Sequence, residues 1–63
     1  MAGSEKLEAF LKMLESGQDG PLLRYSIGLE LLNEDRASEA VGHLQECLRQ
    51  SPDYSAAYKA LAQ

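Results

Sequence analysis

The chain has 63 residues, 44% of them hydrophobic and 25% charged, with a formal charge of −4. A chain this short makes one small domain at most and buries only about 60% of the surface its unfolded form exposes. The acidic balance argues against a nucleic-acid partner or an anionic membrane, both of which attract a basic face. A single cysteine, Cys47, excludes an intramolecular disulfide framework and makes a reducing, cytoplasmic setting the default expectation. No apolar run approaches the ~20 residues that span a bilayer. The start, Met1-Ala2-Gly3-Ser4-Glu5-Lys6, lacks the apolar core of a secretion signal. Residues 1–3 are expected to be a disordered leader.

Apolar spacing then sets out four helices. Leu7, Phe10, Leu11 and Leu14 fall at i, i+3, i+4 and i+7, one helical stripe over about residues 5–16. Gly17 can take the left-handed conformation that ends a helix. Pro21 suits the first turn of the next, where its missing N–H is not needed, with Asp19 or Gly20 as cap. That second helix, about 21–33, carries Leu22, Leu23, Ile27, Leu31 and Leu32, with Tyr25 and Leu29 widening the apolar surface to two contact faces. Asn33 is expected to take the left-handed turn, and Asp35 to cap a third helix over about 36–50. Its apolar side is Ala37, Ala40, Val41, Leu44, Cys47 and Leu48. Pro52 expels Ser51 from the helical region, and Asp53 is expected to cap a fourth helix over about 54–63.

Residues 21–53 carry a pattern beyond ordinary helix. Ile27-Gly28, Leu31, Ala40, Leu44 and Pro52 stand at the Leu-Gly, Tyr, Ala, Phe and Pro of W-x₂-L-G-x₂-Y…A-x₃-F…P. The stretch resembles one complete tetratricopeptide repeat. Arg24, where that pattern has Trp, departs from it. A shift by the repeat length of about 34 residues puts Leu7 on Val41, Phe10 on Leu44, Met13 on Cys47 and Leu14 on Leu48. It also puts Arg24 on Tyr58, Ile27 on Leu61 and Gly28 on Ala62. The resemblance covers roughly residues 5–63, as a half-repeat (5–17), a full repeat (21–53) and the start of another (54–63). Two further departures are Lys6, in place of a small Ala, and Asn33, where the family usually has Gly.

The resemblance implies an all-α fold of antiparallel helix hairpins belonging to an α-solenoid, with Gly28 and Ala40 allowing the two central helices to approach closely. It also implies a non-enzymatic module for protein–protein interaction, with no catalytic residues and no cofactor. In such repeats the first helix of each pair lines a concave groove that holds an extended peptide or a partner helix. The corresponding stripe here is Leu22, Tyr25, Leu29 and Leu32, flanked by Lys59, with Ala56 and Gln63 at the matching places of the next helix. Tyr25 and Leu29 occupy positions where some family members carry a Lys/Asn clamp for a terminal carboxylate, which argues against such a clamp. About three repeats are normally needed for a stable stack. Tyr58 and Leu61 are therefore expected to form an open end, so that the chain either self-associates into a homodimer or higher homo-oligomer or is cut from a longer array. The alternative reading is a self-assembling structural unit, a homo-oligomer or a fragment of a longer array, whose stripe is consumed by self-association; burial of the stripe by the first helix folding across it is a separate reading.

Other chemistries find little support. His43 and Cys47, at i,i+4, supply two ligands where a closed zinc site needs four. A core cysteine beside a partly solvated histidine is the better reading, and no metal is expected. The dispersed acids lack the spacing of a calcium loop. A DNA-reading helix-turn-helix at 21–50 would set Glu39 and Glu46 against the phosphates, so no nucleic-acid partner is expected.

Overall fold

Two prolines and two residues with left-handed backbone divide the chain into four helices. The computed structural model describes residues 4–62, and these contain no strand. The helices are α1 (Ser4–Glu15), α2 (Pro21–Asn33), α3 (Ala37–Gln50) and α4 (Ser55–Leu61). The expected leader at 1–3 and the groove position Gln63 lie outside the described residues. The all-α architecture is as anticipated, but the helix ends differ in instructive ways.

Gly17 (φ 98°) and Asp35 (φ 59°) end α1 and α2 in the same manner. The amide of Gln18 donates to the Met13 carbonyl and that of Gly17 to the Leu14 carbonyl, both at 3.1 Å. After α2, Arg36 donates to Leu31 at 2.9 Å and Asp35 to Leu32 at 3.1 Å. These are the paired bonds of a Schellman ending, in which the left-handed residue lets orphan carbonyls of the last turn find donors. Asn33 is therefore not the left-handed residue. It remains the last residue of α2, and the positive φ falls on Asp35. The same geometry takes Asp35 away from the start of α3, whose first flanking residue is Arg36, with no side-chain cap.

A side chain in the left-handed region costs up to about 1–2 kcal/mol, less for Asp. Asp35→Gly should accordingly raise stability by about 0.5–1 kcal/mol. Chemical denaturation checks this, and an unchanged or lowered midpoint would contradict the assigned turn.

The remaining ends also shift. Gly20, extended at φ −157°, precedes Pro21 without a side-chain cap, because Asp19 turns instead to Arg24. Asp53 does not cap α4, whose flanking residue is Tyr54. The Tyr54 amide donates to the Ser51 carbonyl at 3.0 Å, closing a turn with Pro52 at its second position, while the Asp53 carboxylate accepts from the Ser51 hydroxyl.

Facing residues on α2 and α3 run in opposite directions along the two helices: Asp19, just before α2, reaches Gln50, Arg24 meets His43, and Leu31, farther along α2, shares a core cluster with Ala40, near the start of α3. The pair is thus an antiparallel hairpin, with α1 against α2 and α4 against α3. One core cluster joins Leu7 of α1 to Ile27, Leu31 and Ala40. The other joins Leu44 and Cys47 of α3 to Ala57 and Ala60 of α4. Leu32 packs against both. Of the repeat-motif residues, Ile27, Gly28, Leu31, Ala40 and Leu44 are buried, and Pro52 is exposed. The close approach is made by Gly28 against the Leu44 side chain; Ala40 instead joins the cluster around Leu7.

The period of about 34 residues does not carry burial with it everywhere. Cys47 is fully buried, whereas Met13, its counterpart on α1, is 40% exposed. On α1 Lys6 is exposed and its ammonium lies 3.7 Å from the Glu30 carboxylate of α2, a surface pair of small energetic weight.

Candidate interaction surfaces

The apolar stripe of α2 divides into parts. Leu22, in the first turn, is 66% exposed. Tyr25, Leu29 and Leu32 are half-buried and converge on the α3–α4 cluster of Leu44, Cys47, Ala57 and Ala60. The Tyr25 ring tilts against Tyr54, with centroids 5.3 Å apart at 47°, a geometry in which ring edges meet ring faces favourably. The helix lying over this stretch is α4. The helix α1 packs on the opposite cluster, through Leu7, Phe10, Leu11 and Leu14. Lys59 is exposed on α4. The structure thus groups Tyr25, Leu29, Leu32 and Leu61 around one cluster and leaves Leu22 and Lys59 outside it.

On α4, Tyr58 is 54% exposed, yet its hydroxyl donates to the Pro52 carbonyl at 3.1 Å. Leu61 is half-buried and helps line a half-open recess of about 350 Å³ between α2, α3 and α4, shared with Leu32, Val41, Leu44 and Ala60. Val41 as a lining residue escaped the sequence reading. Its signal was available, because it is the apolar α3 residue to which the buried Leu7 corresponds in the repeat period.

The second feature the sequence did not reveal is a polar network where the repeat pattern has Trp. The Arg24 guanidinium forks onto the Asp19 carboxylate at 2.9 and 3.0 Å, and its Nη1 donates to His43 Nδ1 at 3.2 Å. Gln50 Nε2 donates both to Asp19 and to Glu46, each at 3.0 Å. Glu46 also accepts from Arg49, one turn along α3. Arg24 therefore binds the first connector to α3 with charge and direction in place of aromatic area. The Arg24 fork, then Gln50, draws the Asp19 carboxyl down to about 2, and Arg49, then Gln50, does the same for Glu46. Both carboxylates are thus fully ionised at neutral pH. Burial, then the adjacent Arg24 charge, pushes the His43 imidazole below its ordinary value.

Burial raises the Cys47 thiol, which lies fully buried in the α3–α4 cluster, so its sulfur is a packing group rather than a reactive thiolate. Among the described residues, no three His, Cys, Asp or Glu side chains gather in a way that would hold a metal ion. No described helix is long and apolar enough to cross a membrane.

Comparison with known proteins bears on the family. The chain is 44% identical over 55 residues to the TPR repeat-containing protein PA0015 of Pseudomonas aeruginosa, a match covering 87% of this chain and 52% of that protein. It thus spans about half the length of that relative. No family model matches the chain. No solved structure matches it either. A relative of this similarity across most of the chain, together with four helices in hairpin succession, identifies the family: the chain belongs to the tetratricopeptide-repeat proteins.

Proposed function

We propose that the chain is a non-enzymatic protein–protein interaction module in which α2 and α3 form one complete repeat flanked by half-repeats. Its contact surface takes a peptide or partner helix along Leu22, Tyr25, Leu29 and Leu32, with Lys59 offering a cation to an acidic partner residue. Membership of the family supports the general reading. The observation that carries the finer one is Leu22, a large apolar side chain left 66% exposed at the head of a stripe whose other members are half-buried. Leu22 would be the exposed anchor of a surface continued along the helix by the part-exposed Tyr25, Leu29 and Leu32, and contiguous exposed apolar area is a mark of contact surfaces.

A second reading is self-association through α4, supported by the exposure of Tyr58 and by the recess beside Leu61. One experiment separates the two. Peptides selected from a random library against the wild-type chain are tested on Leu22→Ser/Lys59→Glu, with sedimentation equilibrium run on both proteins. The groove reading expects binding to fall about tenfold or more, the loss of roughly 1.4 kcal/mol of contact, at unchanged melting temperature and mass. Undiminished binding would place the surface elsewhere. A dimer in both proteins that yields no peptide ligand would favour self-association.

A further inference from the structure

We infer that Arg24, His43, Asp19 and Gln50 form a pH-sensitive clasp, which ties the first connector and α2 to α3 while His43 is neutral and loosens when His43 takes up a proton. The argument begins with donor and acceptor chemistry. A guanidinium has five N–H donors and no acceptor. Its contact with His43 Nδ1 at 3.2 Å therefore requires that nitrogen to carry a lone pair, with the ring proton on Nε2. Protonation turns Nδ1 into a donor. It then places two cations, each with an N–H directed at the other, at hydrogen-bond distance.

The guanidinium is not free to retreat. Its Nε and Nη2 are both committed to Asp19, and Asp19 is itself held by Gln50 of α3. It is the imidazole that must swing away, and one of the two arms joining the connector to α3 is lost. The surrounding charges do not all act in one direction. Asp19 from the connector and Glu39, one turn back on α3, favour the imidazolium, whereas half-burial of the ring and the Arg24 charge oppose it. Farther along α3, the Glu46 carboxylate is taken up by Arg49 and Gln50. Burial and Arg24 prevail, so the folded chain binds this proton less readily than the unfolded chain.

The sign of the pH dependence follows. A group depressed on folding contributes stability that is present above its unfolded pKa, about 6.5 for histidine. That stability is lost as pH falls through the lower folded value. The chain contains one histidine, so no second imidazole obscures the window above the carboxylates.

The test is thermal unfolding of the full chain between about pH 7.5 and about pH 5, for the wild type and for His43→Gln. Glutamine keeps an acceptor for Arg24 and does not titrate. The wild-type melting temperature is expected to fall by a few degrees across that range while the variant stays level. Parallel curves, or a level wild type, overturn the clasp. A proton-NMR titration of the wild-type ring decides the matter even if the variant does not fold. The expected midpoint is below that of a free histidine, with the Arg24 Nε–H signal moving in step. A midpoint at or above the free value overturns the inference.

Discussion

Truncation of Leu44 to alanine should cost about 2–5 kcal/mol and leave much of the chain unfolded. Leu44 is fully buried, touches the backbone of α2 at Gly28, belongs to the α3–α4 cluster and lines the recess near Leu61. Its removal takes away contacts from three helices at once. The gap would also open onto an existing recess, so neighbouring side chains would have little support from which to collapse inward. Total stability for a chain of this length is roughly 3–9 kcal/mol, and the loss is therefore comparable to the whole. Urea denaturation followed by circular dichroism measures it. A loss below about 1 kcal/mol would mean that the two core clusters do not depend on this side chain.

Gly28→Leu should destabilise by about 1–3 kcal/mol through overpacking at the same crossing. A Cβ placed on Gly28 would lie 2.7 Å from both Cγ and Cδ2 of Leu44, where relaxed carbon contacts are about 3.5–4.0 Å. Helix propensity works the other way, since a glycine inside a helix costs about 0.5–1 kcal/mol. The steric term should win, because the clash involves Leu44 Cγ, which its short link to the α3 backbone holds in place, as well as a methyl end. A melting temperature equal to that of the wild type would dispose of the close approach. The pair also makes a sharper statement. Gly28→Leu should be tolerated better in a Leu44→Ala background, with a coupling above about 0.5 kcal/mol. Simple additivity would mean that the two residues do not meet.

Much of the fold was legible because it rests on local rules. Helix spacing, Pro21, Gly17 and the Ser51-Pro52 stop are backbone preferences that act within a few residues, and they set the four helices within one or two residues at most ends. The turn at 33–36 was misplaced for an identifiable reason. Asn33 and Asp35 both tolerate a left-handed backbone, and only the Schellman bonds to Leu31 and Leu32 choose between them. The contact surface was read less completely. Periodicity put Leu22, Tyr25, Leu29 and Leu32 on one stripe, but which part of a stripe is covered depends on where the next helix lies.

The residues from Pro21 to Pro52 determined, without help, that the chain folds as helical hairpins of the repeat type. Spacing, small residues and prolines act locally and survive any rearrangement of the helices around them. What α4 covers was a tertiary decision. Ala57 and Ala60 bring that helix against Leu44 and Cys47, so Tyr25 and Leu29 are drawn partly inward while Leu22 stays in solvent. The role of Arg24 was decided in the same way. In sequence it was a missing tryptophan; in space Asp19, His43 and Gln50 supply an anion, a lone pair and a second tie, and they come from sites up to 31 residues apart. No pattern confined to neighbouring residues contains that arrangement.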